Sequence, residues 1–151
     1  LRLSGLDLSP AYLAEAEQHL AGLRPVQLAA ADAGALPYED ASLDIVTAVF
    51  LFHELPRTVR REVAAEVARV LRPGGLFVLV DSLQFGDRPD WDGLLEAFPA
   101  RFHEPYFEDY CGDDLEVPLA EAGLVAESTS LAFLAKVMAR RKAGGDTGDA
   151  Q

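Results

Sequence analysis

The chain has little that could cross-link it or carry it through a membrane. A single cysteine, Cys111, among 151 residues excludes an internal disulfide and suits a reducing compartment. Its expected role is that of a small, semi-buried side chain and not a reactive thiol. Long apolar runs are also missing. The longest, residues 45–52, has Thr47 inside it and falls far below the ~20 residues that a membrane-spanning helix needs. No signal-peptide pattern is present. These absences predict a soluble, cytoplasmic protein without an integral membrane segment, and they leave peripheral membrane contact open. Basic residues are scarce as well: 13 Lys and Arg stand against 25 Asp and Glu, a formal charge of −12. That balance opposes the attraction to phosphate on which nucleic-acid binding depends, so nucleic acid is not an expected partner. His103, Glu104 and Cys111 are metal-ligand types without a recognised spacing, and no metal is expected. The chain has no internal repeat, and nothing in it indicates an oligomeric state.

What is present is enough for one domain. Half of the residues are hydrophobic, which supplies a single core at this length. Residues 3–8 read as a short strand. Ser9-Pro10 then offers a helix cap with proline at the first helical position, where its missing N–H costs nothing, and the helix is expected to reach about Leu20 and stop at Gly22. Residues 26–30 form a second strand, and residues 34–41, with Pro37 inside, a loop. Residues 43–50 are rich in β-branched and aromatic side chains and too continuously apolar to be half-exposed, which predicts a parallel strand covered on both faces. From Pro56, Val59, Val63, Val67 and Val70 mark one face of a helix, with Arg60, Arg61, Glu62, Glu66 and Arg69 on the other. Gly74-Gly75 is expected to end that helix, the first glycine in a left-handed cap, and residues 76–80 are the next strand. A short helix over residues 91–98 should bury Leu94, Leu95 and Phe98. Another is expected from Asp113 or Asp114 to Gly123, with Pro118 awkward in its interior. Residues 125–130 and 131–138 read as adjacent strands, Arg140 to Lys142 as a solvated strand end, and residues 143–151 as a disordered tail. Strands alternating with helices imply a doubly wound α/β sheet with right-handed crossovers.

Four segments carry a more specific signal. In order they are Gly5-Leu-Asp-Leu-Ser-Pro10, Ala31-Asp-Ala33, the stretch Asp44-Ile-Val-Thr-Ala-Val-Phe-Leu-Phe-His-Glu-Leu-Pro56, and Leu71-Arg-Pro-Gly-Gly-Leu-Phe-Val-Leu-Val80. Together they resemble the later two-thirds of a class I S-adenosylmethionine-dependent methyltransferase, with the general look of the ubiquinone/menaquinone-type group. The resemblance implies a Rossmann-like, mostly parallel sheet with an antiparallel edge strand. In that family a glycine-rich loop cradles the cofactor roughly 20 residues before the acid that ends the second strand. Only six residues precede Asp7, and the chain starts at Leu1. The expectation is an N-terminally truncated domain, residues 1–142 being its partial methyltransferase domain. The family's first strand would lie between the strand ending at Asp7 and the strand ending at Phe50, so both would be left partly unpaired.

Ligands of open α/β sheets bind beyond the carboxyl ends of the strands. The resemblance makes Asp7, with Leu8 beside it, the ribose-binding acid, the competing role being helix capping. It gives Asp32 and Ala33 the adenine, against an ordinary turn aspartate. Phe50 would pack near the adenosine or the sulfonium, and His53 would face the methyl group or else serve as a helix-entry histidine. Glu54 suits the N-terminus of the following helix. Asp81, Ser82 and Gln84 end the next strand at the mouth of the same cleft. Residues 102–107, including His103 and Tyr106, correspond to the family's lid over an aromatic or prenylated small-molecule acceptor, or they pack their own aromatics on the sheet edge. A general base adds to methyl transfer only when the acceptor must lose a proton, and His53 and His103 are the candidates.

Two other classes compete: a nicotinamide-dependent dehydrogenase fragment, whose second strand also ends in a ribose-binding acid, and a degenerate, non-catalytic interaction domain. Because no glycine-rich loop is visible, calorimetric titration of the 151-residue chain with S-adenosylmethionine should show no micromolar binding. Tight binding would overturn the truncation reading.

Overall fold

Helix and strand capacity alternate along the chain, and the computed structural model, which describes residues 2–22 and 26–144, turns that alternation into two sheets and six short helices. Strand β1 (Leu3–Asp7) leads into helix α1 (Pro10–Leu20). Ser9 caps it, its side chain accepting from the Tyr12 N–H at 3.4 Å, and Pro10 opens the first turn. Strand β2 (Val26–Ala30) returns parallel to β1, with Asp7 in register with Ala30.

Strand β3 (Leu43–Val49) starts the second sheet. A 3-10 turn (Phe52–Glu54) links it to helix α2 (Arg57–Val70), and strand β4 (Leu71–Ser82) pairs parallel to β3. Helices α3 (Asp92–Ala97), α4 (Pro99–Phe102), α5 (Phe107–Cys111) and α6 (Glu116–Glu121) follow. Strands β5 (Leu124–Ala132) and β6 (Ala135–Lys142) form a hairpin with β6 antiparallel to both neighbours, giving the order β3-β4-β6-β5. Among the described residues β1 pairs only with β2, and β3 only with β4. No helix among them is long and apolar enough to cross a membrane.

The core lies between α2, β4 and the short late helices: Val63, Ala64, Val67 and Val70 meet Phe77, Leu79, Leu115 and Leu119. Several expectations are corrected there. Helix α2 ends at Val70, four residues before Gly74, because Pro73 disfavours the helical conformation at Arg72 and cannot continue the helix itself. Gly74 does take a left-handed conformation (φ 77°), but inside a bulge at the start of β4, where the register against β3 jumps from Leu43↔Leu71 to Ile45↔Leu76. At Gly75 a Cβ would come within 2.8 Å of the Arg72 carbonyl oxygen. Strand β3 is not covered on both faces: Ile45 and Val49, on one face, are 58% and 59% exposed, while Val46 and Ala48 on the other pack against the core, so only one face of β3 carries a covering layer among the described residues.

Leu94 points outward while Leu95 is buried. Pro118 sits in the first turn of α6, where no N–H is required, so the awkwardness disappears. The hairpin turn is Phe133-Leu134, two residues later than the break expected after Ser130. Phe133 is left-handed (φ 54°), so no glycine, asparagine or proline marks the turn. The tail expected over 143–151 falls, from residue 145 on, outside the described residues, and the Ala143 N–H still bonds to the Gly123 carbonyl at 2.9 Å.

Two arginines assigned to solvent are buried. Arg60 donates from Nε to Asp113 at 3.0 Å, from Nη1 to the Leu55 carbonyl at 2.8 Å and from Nη2 to Asp109, because α5 and the turn after it bring those acids onto the α2 face. Arg140 is buried among Glu116, Thr129 and the Ser128 carbonyl, tying α6 to the hairpin. Removing one partner of a buried ion pair leaves a charge without compensation. Replacing Arg60 with alanine should therefore cost about 3 kcal/mol of unfolding free energy, the low end of the usual range because Arg57 stays 3.1 Å from Asp113. Replacing the part-exposed Arg61 should change it by less than about 0.5 kcal/mol. Equal effects in denaturant titrations would show that the buried pair contributes nothing special.

Candidate functional site at the carboxyl edge

The parallel strands deliver their functional candidates to the ends where backbone pairing stops. At the end of β1, Asp7 is half-buried and its Oδ1 accepts from the Ser9 N–H at 2.7 Å. One oxygen thus helps to shape the entry to α1, as the capping alternative expects, while Oδ2 has no hydrogen-bond partner among the described residues. Asp32 stands just beyond β2, which is tied to β1 there by the Ala31 N–H on the Asp7 carbonyl at 3.2 Å. Its Oδ1 accepts from the Gly34 N–H at 2.8 Å, its Oδ2 is also unpartnered, and it is exposed. Leu8 is 69% exposed beside Asp7, and Ala33 packs against the core.

The second cluster lies beyond β3 and β4. Phe50 takes a left-handed conformation (φ 51°) while its N–H still pairs with the Val80 carbonyl at 2.8 Å, and this leaves its ring half exposed. Three residues on, His53 Nδ1 lies 2.6 Å from Asp81 Oδ1. A carboxylate at that distance only accepts, so Nδ1 carries the proton and Nε2 is turned away from Asp81. Asp81 is 1% exposed and also accepts from the Phe52 N–H (2.7 Å, on Oδ2) and the Ser82 N–H (2.7 Å).

Aromatic rings enclose the imidazole. Those of Phe50, Phe107 and Tyr110 meet it edge-on at 6.2, 5.8 and 6.1 Å. Burial pushes the His53 pKa down, but the hydrogen bond and charge of Asp81, with the charges of Glu104 and Glu54, outweigh it, and the net result is a pKa above the ordinary histidine value. Tyr110 donates its hydroxyl to the Ser82 carbonyl at 2.6 Å, and burial, then the Asp81 charge, push its pKa far up. Cys111 is buried, and burial followed by the surrounding acids pushes its thiol up to about 12, so it is inert at neutral pH.

The lid candidates divide. Phe107 is buried against His53 and against Phe98, whose ring is 4.6 Å away. His103 is exposed in a left-handed conformation at the end of α4, and Tyr106 is 40% exposed at the start of α5. Neither side chain has a hydrogen-bond partner among the described residues. Of the three residues that sequence reasoning marked for chemistry, only His53 sits in an enclosed site. That reasoning placed Asp81 at the cleft mouth but gave it no role, and it did not single out Tyr110. The signal for Asp81 was available: an acid directly after a five-residue apolar strand, on the strand next to the one that precedes His53.

The methyltransferase domain family matches residues 1–75, about half of the chain. A probable phthiotriol/phenolphthiotriol dimycocerosates methyltransferase 2 of Mycobacterium ulcerans is 42% identical over 97 residues, covering 62% of this chain and 35% of that protein. A demethylmenaquinone methyltransferase of Staphylococcus epidermidis is 36% identical over 83 residues, covering 55% and 34%. The chain thus spans about a third of the length of these curated relatives.

Among solved structures, a SAM-dependent methyltransferase of Methanosarcina mazei superposes with a TM-score of 0.73 at 19% identity, over 94% of this chain and 82% of that one. A putative sarcosine dimethylglycine methyltransferase of Galdieria sulphuraria gives 0.74 at 16%, over 94% and 70%. The fold is that of a Rossmann-like methyltransferase. Residues 1–75 match the methyltransferase domain family, the curated relatives above are methyltransferases, and the fold is that of S-adenosylmethionine-dependent methyltransferases, which sets the dehydrogenase alternative aside.

The raised pKa of His53 has a consequence for stability. A group whose folded pKa exceeds its unfolded value contributes stability that is fully present below the unfolded pKa, about 6.5, and is lost as pH rises through the folded one. Unfolding free energies of wild type and His53→Gln should therefore differ more at pH 5.5 than at pH 9. An equal difference at both would mean that Asp81 does not favour the charged imidazole.

Proposed function

We propose that this domain transfers a methyl group from S-adenosylmethionine to a small-molecule acceptor, aromatic, quinone-like or prenylated in character. The observation that carries the reading is the pair of neighbouring strand-end acids, Asp7 and Asp32, each with one carboxylate oxygen engaged by backbone and the other unpartnered. Such a donor set fits the cofactor: Asp7 Oδ2 can accept from ribose hydroxyls, Asp32 from the adenine amino group, the Ala33 N–H can meet the ring, and the half-exposed Phe50 ring offers an apolar face. The bound sulfonium supplies an already activated methyl group. The rest is alignment and exclusion of water, which side chains on fixed strand ends provide.

His53, or else His103, would take a proton from an acceptor that must lose one, and Tyr106 with the exposed Phe102 would contact the acceptor's ring or tail. Relatives named for a dimycocerosate and for demethylmenaquinone support a small molecule over a macromolecule as acceptor. The charge of −12 argues in the same direction against nucleic acid. We place the domain in the cytoplasm, with peripheral contact at a membrane where the acceptor resides in one.

The test uses the 151 residues joined to an upstream segment carrying the glycine-rich loop, followed by calorimetry with S-adenosylmethionine. A hydrogen bond to a charged group contributes about 1.5–3 kcal/mol, so Asp7→Ala should weaken binding by roughly ten- to a hundredfold. His103→Ala and Tyr106→Phe should leave cofactor affinity unchanged while lowering turnover of the acceptor. Unchanged affinity for Asp7→Ala with a normal circular dichroism spectrum would return Asp7 to capping. Absence of any cofactor binding would favour the non-catalytic interaction domain.

A further inference from the structure

The aromatic cage around His53 is closed by elements that come from four parts of the chain, yet only one group in it addresses the imidazole with a hydrogen bond. We infer that Asp81 is a positioning residue that holds His53 with Nδ1–H toward itself and Nε2 toward the acceptor, so that His53, and not His103, is the proton acceptor and the acceptor is a phenol-like or enol-like hydroxyl. The inference rests on the methyltransferase reading for the reaction, but not for the state of the imidazole.

Asp81 and His53 are 28 positions apart and meet because parallel pairing of β3 with β4 brings the strand ends level, with Val49 opposite Val80. Three donors converge on the Asp81 carboxylate, from Phe52 N–H, Ser82 N–H and His53 Nδ1. The first two keep the carboxylate from turning, so the imidazole is aligned by the backbone of both strands. The side chains of His53 and Asp81 are 12% and 1% exposed, so water does not dissipate their interaction. Nε2 has no hydrogen-bond partner among the described residues.

The groups facing the ring are Asp81 from β4, Glu54 from its own turn, Glu104 from the segment after α4, Phe107 and Tyr110 from α5, and Phe50 after β3. All the charges that act on it are negative. The neighbouring cation, Arg60, sits 5.9 Å from the centre of the Tyr110 ring and is engaged by Asp109 and Asp113. An imidazole in such surroundings takes up a proton readily and holds it. Nothing comparable surrounds His103.

In the transfer, the acceptor O–H gives its proton to His53 Nε2. The oxygen forms a bond to the methyl carbon as the carbon–sulfur bond breaks, its electron pair staying on sulfur as a neutral thioether. The imidazolium then carries the proton until solvent removes it, and Asp81 balances its charge meanwhile.

The state of the ring is readable on the 151-residue chain by nitrogen-15 and proton NMR. The chain has three histidines, and His53→Gln assigns the signal. Wild-type His53 should be the Nδ1–H tautomer when neutral and should titrate above the ordinary histidine range. Asp81→Asn removes the charge and leaves one oxygen where wild type uses two: with that oxygen kept on the Phe52 N–H, an amide N–H faces Nδ1 in place of Oδ1, so His53 should switch to the Nε2–H tautomer and titrate lower. Saturating 1-naphthol, a probe for a phenolic acceptor, should move the His53 Nε2 resonance in wild type and leave that of His103 in place.

A wild-type Nε2–H tautomer, an unshifted titration in Asp81→Asn, or no response of His53 to 1-naphthol would each overturn the proposal. Should Asp81→Asn fail to fold, the wild-type tautomer and the naphthol response still decide it. A chain that passes these tests while its loop-bearing form never binds S-adenosylmethionine keeps the dyad and loses the methyltransferase reading.

Discussion

Asp81 is the constraint on which the functional edge depends. Its carboxylate sits where β4 ends and receives the Phe52 N–H, the Ser82 N–H and His53. One buried acid thereby fixes the direction in which the chain leaves β3, the orientation of the imidazole and the start of the segment that follows β4. A buried carboxylate is costly unless its lone pairs are met, and here three donors meet them. Phe50 is held in its left-handed turn by the same arrangement, since its N–H still bonds to Val80 one residue before Asp81.

The late helices are too short to be stable alone, at four to six residues each. They owe their place to buried polar anchors as much as to apolar contact. Arg60 ties α2 to Asp109 and Asp113, Gln84 donates to the Tyr110 and Asp113 carbonyls at 2.7 and 2.6 Å, and Tyr110 reaches back to Ser82. These bonds lower α5 onto His53, which is why Phe107 and Tyr110 enclose the imidazole while Tyr106, one residue from Phe107, remains at the surface. The segment over residues 102–107 is therefore divided by its anchoring into a buried end and an exposed one.

The other half of the site is less enclosed. β1 and β2 form their own pair, joined to the rest through the loop that follows Asp32: Glu66 accepts from the Leu36 N–H at 2.8 Å, Arg69 donates to the Leu36 and Tyr38 carbonyls, and the Tyr38 hydroxyl meets Ser4 at 2.9 Å. Asp7 and Asp32 consequently keep open coordination, whereas His53 and Asp81 are sealed. An arrangement of this kind suits a soluble polar cofactor on one side and proton handling in a low-dielectric cage on the other.

Much of the architecture was legible without coordinates, because it rests on local chemistry. The Ser9 cap, the proline after it, the span of β2, the valine face of α2 and the acids that follow β1 and β2 are each set by neighbours a few residues away, and they were read correctly. Where the physics is non-local, the reading failed or fell silent. Arg60 looks like a solvent-facing residue until Asp109 and Asp113, about fifty positions on, arrive to bury it, and Arg140 depends on Glu116 in the same way. Ile45 and Val49 look covered because strand composition does not show whether anything packs on each face. The sequence by itself determined the longer elements and which acids end the strands, since propensity, capping and period are properties of short stretches. The four- and five-residue helices α4 and α5 went unread because they form only where the tertiary structure packs them. Only the tertiary structure decided that His53 pairs with Asp81, because that contact exists through the register of two parallel strands and the burial that three later elements impose on it.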